Sequence, residues 1–98
     1  MYQPKFFNKD IDLLLDALVT LKDKDEIMRF LEDVCTIKEI SDMGQRFTVA
    51  KLLHEKVPYH TIVDETKAST ATISRVNKSL IYGAEGYIIA LKRLKEEK

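Results

Sequence analysis

The sequence has 98 residues, which is enough for one domain with a limited core of its own. Its 45% hydrophobic and 33% charged residues are typical of a folded protein and exclude a disordered tail. No apolar run reaches the roughly 18–20 residues of a membrane span, and no secretory signal is visible. We therefore expect a cytoplasmic protein that does not bind a membrane.

The formal net charge is zero, but the charges are unevenly distributed along the chain. Residues 1–35 carry five cations against eight acids, whereas residues 66–84 carry three cations and no acid. A protein that binds nucleic acid by charge alone is usually basic. Such an asymmetry would turn one face towards phosphates, which favours specific over indiscriminate binding.

The N-terminal third of the chain predicts an arm and two helices. Residues 1–8 show no helical period and form the arm. Asn8 is a candidate cap for a first helix over 9–22, and Asp23 with Glu26 predicts the start of a second helix. Both helices have wide apolar faces, which a second copy of the chain could cover. Their apolar positions are Ile11, Leu14, Leu15, Leu18 and Leu21, then Ile27, Phe30, Leu31 and Val34.

A long helix is predicted next, from the Thr36–Glu39 capping box to about Lys56. Gly44 in its interior costs about 1 kcal/mol relative to alanine, which a close helix crossing, a ligand or a mild kink would explain. Gly83 is predicted to end a later helix in a left-handed conformation, and a last helix spans 84–97. The apolar stripe of the long helix is Ile37, Ile40, Met43, Phe47, Ala50, Leu53 and Val57.

Residues 59–80 predict two helices joined by a tight turn, a helix-turn-helix whose second helix suits DNA. Ser69 is a candidate cap of that second helix. Its apolar stripe of Ile73, Val76 and Leu80 would pack on Ile62 and Val63 of the first helix. Its other face carries small hydroxyl, methyl and cationic groups: Thr70, Ala71, Thr72, Ser74, Arg75 and Lys78. Small α-proteins also use such helix pairs merely as connections. The prediction of DNA binding therefore depends on the composition of this face.

The residues that enzymes and metal sites require lack the necessary spacing here. His54 and His60 are six positions apart without a partner for zinc, and no glycine-rich phosphate loop is visible. Acid pairs such as Asp64–Glu65 and Glu96–Glu97 are typical of solvated helix faces. The sequence therefore predicts no catalytic residue, no metal and no cofactor.

Residues 68–80, STATISRVNKSL after Ala68, resemble the recognition helix of the Trp repressor superfamily. The similarity extends to residues 36–39, 43–46, 52–53 and 82–87, and is strongest to the small Trp-repressor-like branch of YerC/YecD type. This resemblance implies an all-α, Trp-repressor-like helical bundle with a helix-turn-helix. It also implies an intertwined homodimer that binds double-stranded DNA and regulates transcription.

The resemblance also implies roles for individual residues. In Trp repressors two arginines flank the corepressor, and Arg46 and Arg75 match them, while Thr36 and Ser79 match further ligand contacts. A phosphate contact for Arg75 and a helix cap for Thr36 are equally open. The candidate DNA-binding residues combine the positions that the resemblance implies with the cations and the N-cap of the helix pair. They are Tyr59, His60, Lys67, Ser69, Thr70, Ala71, Ser74, Arg75 and Lys78.

The sequence departs from the Trp repressor pattern at three points. Val76 replaces a glycine, so a branched side chain would meet the indole ring of tryptophan. The chain is one residue shorter between Arg46 and Leu52, and Lys67 occupies a turn position usually given to glycine. We predict no response to tryptophan, and either no effector or a small anionic one.

The sequence as a whole favours a repressor-like, sequence-specific DNA-binding regulator, folded as one domain over 1–98. The competing hypothesis is a helical protein-interaction module that has lost DNA binding, which the zero net charge supports.

Overall fold

Within residues 1–97, which the computed structural model describes, the chain forms six α-helices and no strand. The predicted all-α class is confirmed. The helices are α1 (Lys9–Leu18), α2 (Lys24–Val34), α3 (Ile37–His54), α4 (Tyr59–Thr66), α5 (Thr70–Tyr82) and α6 (Gly86–Glu96).

The chain divides into two compact units, Met1–Ile37 and Lys38–Lys98. The N-terminal unit contains the arm, α1 and α2, and the C-terminal unit contains nearly all of α3 together with α4, α5 and α6. The single domain over 1–98 stays a prediction.

The side chains predicted to cap the first two helices do so. Asn8 Oδ1 accepts a hydrogen bond from the backbone N–H of Ile11 at 2.9 Å, and Asp23 Oδ1 accepts one from that of Glu26 at 2.9 Å. These bonds pair backbone donors that have no partner inside the helix. At its other end α1 is shorter than predicted, because the chain turns after Leu18 and Thr20 Oγ1 donates to the Ala17 carbonyl at 2.7 Å.

Neither α1 nor α2 has a buried residue. Leu13 and Val19 are 70% and 83% exposed, and Leu14 on the predicted stripe is still 39% exposed. The N-terminal unit is thus a pair of amphipathic helices without a closed core of its own.

The C-terminal unit has a closed hydrophobic core. Its buried members are Val49, Ala50, Ile62, Ala68, Ile73 and Val76, with Leu52, Leu53, Val57, Val63, Leu80 and Tyr87 packed around them. The stripe predicted for the long helix is partly wrong, because Ile37 is 86% exposed and Val49, which lies outside that stripe, is fully buried.

The end of α5 differs from the prediction. Gly83 has φ −85° and is not left-handed; the left-handed residue is Glu85 with φ 70°, immediately before α6. Glycine is required at 83 for another reason, since a Cβ there would collide with the backbone carbonyl oxygen of Ser79. This close approach lies at the C-cap of α5, and α6 begins at Gly86.

Candidate nucleic-acid interface

The helices α4 and α5 form a pair joined by a three-residue turn, residues 67–69. Pro58 precedes α4 in an extended conformation, and Ser69 caps α5 as predicted, because its hydroxyl accepts the Thr72 N–H at 3.1 Å. The predicted positions of both helices are confirmed to within two residues.

The inner side of this helix pair packs into the core of the C-terminal unit. Ile62 of α4 and Ile73 of α5 are both fully buried, and Val76 is 2% exposed. This confirms the predicted packing of the two helices. Ala68 in the turn is also buried, which was not predicted; a small apolar residue between Lys67 and Ser69 is the only sign of it in the sequence.

The opposite side of α5 is exposed and presents short or cationic side chains. Ala71, Ser74, Arg75 and Lys78 follow the spacing i, i+3, i+4 and i+7, so they share one helix face. All four are exposed to solvent. We call this face, together with Thr70 at the start of the helix, the recognition surface.

The remaining candidate DNA-binding residues precede the recognition surface in the sequence. Lys67 and Ser69 belong to the turn immediately before α5, and both are exposed. Tyr59 and His60 lie in the first turn of α4 and are also exposed, Tyr59 by 40%.

The cations of this region are available to an external anion. Lys67, Arg75 and Lys78 form no ion pair with any residue of the described range 1–97. Ion pairs form instead within α2 and α3, for example between Lys38 Nζ and Asp42 Oδ2 at 2.7 Å. The stretch 66–84 contains no acid, and the nearest acids in the sequence are Glu65 before it and Glu85 after it.

The turn has a strained backbone at Lys67, where φ is 62°. The expected steric cost of a non-glycine residue at this position is therefore present. Its N–H is nevertheless paired, because it donates to the Val63 carbonyl at 2.9 Å.

The four candidate effector residues are divided between the two units. Thr36 is in the N-terminal unit, whereas Arg46, Arg75 and Ser79 are exposed residues of the C-terminal unit. Val76, which replaces the glycine of Trp repressors, points into the core rather than to solvent.

A polar cavity of about 350 Å³ lies elsewhere, along α3 and the end of α4. None of the four candidate effector residues lines it. Two of its lining residues are acids, which disfavours an anion there. Its lining is Ser41, Asp42, Gly44, Gln45, Thr48, Glu65 and Thr66.

Gly44 lines this cavity, and a Cβ added to it would meet no atom within 4 Å. A close helix crossing inside the chain therefore does not explain this glycine. Gln45 makes a hydrogen bond across the cavity wall to Thr66, which was not predicted because no sequence pattern marks such a pair.

Within residues 1–97 no helix is both long and apolar enough to cross a membrane. In the same range no group of three or more His, Cys, Asp or Glu side chains is arranged to bind a metal ion.

The fold and the exposed recognition surface define a small all-α protein with a candidate nucleic-acid interface. A sequence model described as "Trp repressor protein" matches residues 9–95. The chain therefore belongs to the Trp repressor family, as the sequence predicted.

Individual relatives agree with this assignment. The chain is 49% identical over 92 residues to the uncharacterized protein YerC of Bacillus subtilis (strain 168), covering 94% of this chain and 88% of that protein. It matches a TrpR-like protein from Eubacterium eligens ATCC 27750 with a TM-score of 0.88 and 50% identity, covering 93% and 94% of the two chains. A candidate Trp repressor from Staphylococcus aureus gives a TM-score of 0.88 and 42% identity over 93% and 91%.

Proposed function

We propose that this protein is a sequence-specific DNA-binding transcriptional regulator of the repressor type. The observation that carries the proposal is the recognition surface, an exposed helix face with unpaired cations in a stretch that has no acid. In this proposal α4 and α5 act as a helix-turn-helix, and residues 69–80 are the recognition helix.

Each part of the helix pair has a distinct task in DNA binding. Arg75, Lys78 and Lys67 contact phosphates and set the register of the protein on the duplex. The short side chains of Thr70 and Ser74 let the helix approach base edges, which their hydroxyls contact directly or through water. Hydroxyls discriminate less between bases than a bidentate arginine–guanine pair does. The methyl group of Ala71 also faces the base edges, where it can make an apolar contact. The remaining contacts, to the flanking backbone, come from Tyr59, His60 and Ser69.

The active form in this proposal is a homodimer. Two recognition helices about one helical turn apart would contact successive major grooves of a palindromic site. The absence of buried residues in α1 and α2 supports this, because a second copy would cover their exposed apolar side chains.

Tryptophan is not the effector in this proposal. Val76 fills the core next to Ile73, so the indole ring would have to displace a packed side chain. An effector, if one binds between Arg46 and Arg75, would be a small anion, because both guanidinium groups are exposed and cationic.

Selection from random duplexes followed by a salt titration tests the proposal. The selection should return a palindromic site. The logarithm of the binding constant for that site should fall with the logarithm of salt concentration, with a slope of about 0.9 for each phosphate contact.

The second candidate function is a helical protein-interaction module that has lost DNA binding. The zero net charge favours it, since DNA-binding domains are usually basic. Weak binding to every duplex, with no dependence on salt, would support this module and refute the regulator.

A further inference from the structure

Three hydrogen bonds meet at Thr66, the last residue of α4. Its hydroxyl donates to the Ile62 carbonyl at 2.7 Å and accepts the Ala68 N–H at 3.1 Å. Its carbonyl accepts a hydrogen bond from Gln45 Nε2 of α3 at 3.0 Å. These bonds surround Lys67, whose left-handed backbone reverses the chain before α5.

The bond from Gln45 differs from the other two because it links distant parts of the chain. It spans 21 positions and is partly buried, whereas both hydroxyl bonds of Thr66 stay within four residues. The carbonyl of Thr66 is at a helix C-terminus, where it has no partner inside the helix. Gln45 therefore supplies a long-range donor to an otherwise orphaned acceptor at the turn.

The turn needs such a directional contact. α4 has eight residues and one buried side chain, Ile62, and so short a helix is marginal without tertiary contacts. Burial of Ala68 attaches the turn to the core, but apolar contact does not fix an orientation. A hydrogen bond does, because it weakens steeply when the donor and acceptor are misaligned.

We propose that Gln45 is a positioning residue for the recognition surface: it fixes the turn 67–69 to α3 and thereby sets the direction of α5. This inference rests on the proposed DNA-binding function. Gln45 does not itself contact DNA in this proposal. Its effect is on the placement of Thr70 and Ser74, whose short side chains tolerate little displacement from base edges.

The first experiment measures DNA binding of Gln45→Met, which keeps the length of the side chain but has no donor. Affinity for the selected site should fall about 3- to 10-fold, the range expected for one hydrogen bond. Affinity for an unrelated duplex and the salt slope should stay unchanged, because the phosphate contacts are intact. A merely structural role would lower stability without changing the ratio of specific to non-specific affinity at a temperature where the protein is folded.

Thr48→Ala is the matched control. Thr48 lines the same cavity, and its hydroxyl donates to the Gly44 carbonyl at 3.1 Å, so this variant also removes a side-chain hydrogen bond of α3. That bond is local, and the control should bind the selected site like the wild type. Equal reductions of affinity in Gln45→Met and Thr48→Ala would overturn the inference.

Amide hydrogen exchange tests the bond without DNA. The N–H groups of Lys67 and Ala68 are both hydrogen-bonded, to the Val63 carbonyl and the Thr66 hydroxyl. Their exchange should accelerate several-fold in Gln45→Met and Gln45→Glu, which both lack a donor, and Gln45→Lys should restore protection because it regains one. Unchanged exchange in both donorless variants overturns the inference. If the wild type binds no duplex, the DNA-binding proposal is overturned and this inference with it. If the wild type binds DNA but exchange in the two donorless variants is unchanged, this inference alone is overturned.

Discussion

Lys67 combines a strained backbone with a solvent-exposed charge at the start of the recognition surface. Its φ of 62° is in the left-handed region, which costs an L-residue roughly 1–2 kcal/mol. Lys56, after α3, has the same conformation with φ 66°. The two lysines are therefore alike in backbone strain, but only Lys67 is placed in the proposed interface.

Replacing Lys67 by glycine should have opposite effects on stability and on DNA binding. Glycine adopts the left-handed conformation without a Cβ clash, so the free energy of unfolding should rise by about 0.5–1 kcal/mol. DNA affinity should fall, and the salt slope should decrease by about 0.9 for each phosphate that the lysine no longer neutralises. Chemical denaturation and a salt titration of duplex binding measure the two effects.

Lys56→Gly serves as the control for Lys67→Gly. It should give the same gain in stability with no change in the salt slope, because Lys56 lies outside the proposed interface. If both variants weaken DNA binding equally, general charge rather than a specific contact at Lys67 is responsible.

We expect Val76 to make tryptophan a poor ligand for this protein. The side chain is 2% exposed in the core, and an indole ring beside it would overpack the site at a cost of about 1–3 kcal/mol. Tryptophan should therefore leave the duplex affinity of the wild type unchanged, as measured by calorimetry and by DNA titration with and without the amino acid. Tight tryptophan binding to the wild type would contradict the steric argument.

The variants of Val76 have to be chosen with the core in mind. Val76→Gly opens space but also removes a buried side chain and adds about 1 kcal/mol of helix cost from glycine. Val76→Ala opens less space and retains a good helix former. Tryptophan binding that increases from the wild type through Val76→Ala to Val76→Gly would confirm that this side chain excludes the ring.

At the scale of the helix, the start of α5 serves both the fold and the proposed function. Ser69→Ala removes the bond to the Thr72 N–H and should lower the free energy of unfolding by about 1 kcal/mol. Ser69→Asp retains a cap and suits the positive end of the helix, so its stability should match the wild type. Its DNA affinity should nevertheless fall at least about tenfold, because a carboxylate then faces the phosphates.

Comparing denaturation with duplex binding for the two Ser69 variants separates folding from recognition. Ser69→Ala should be the less stable variant and Ser69→Asp the weaker binder. If Ser69→Asp binds DNA no more weakly than Ser69→Ala, Ser69 lies away from the DNA.

Helix starts can be predicted from the sequence because capping is local. Asn8, Asp23 and Ser69 each bond to a backbone N–H three residues ahead, and residue type and spacing alone indicate all three. Helix ends are harder to predict. The left-handed conformation expected at Gly83 is found at Glu85, since the collision with Ser79 depends on the path of the chain.

Side-chain burial and long-range bonds are harder to predict than the helices themselves. The period of α3 does not show that Val49 is buried and Ile37 exposed, because several faces of this helix carry apolar residues. The Gln45–Thr66 bond joins residues 21 positions apart, which no local pattern encodes. The residues of the candidate interface could be named from the sequence because they lie within one short stretch, 59–78, whereas Gln45, the residue proposed to position them, lies outside it.

At the scale of the whole molecule, the two units differ in how far a single chain can bury their apolar side chains. The C-terminal unit has a closed core, whereas α1 and α2 of the N-terminal unit have no buried residue. Short chains bury a small fraction of their surface and are correspondingly marginal. The proposed obligate homodimer would resolve this, because the apolar faces of α1 and α2 would be covered only in the assembled molecule.

The double variant Leu14→Asp, Leu18→Asp tests this dimer directly. In an isolated chain Leu14 is already 39% exposed, so an acid there would cost little; in an obligate dimer two buried acids should abolish folding altogether. Lys9→Asp on the same helix changes the net charge by the same two units and should stay folded and dimeric. Sedimentation and circular dichroism report both outcomes, and the thermal midpoint of the wild type should rise with protein concentration. A double variant that stays folded as a monomer would refute the obligate dimer, and the proposed palindromic site would lose its structural basis with it.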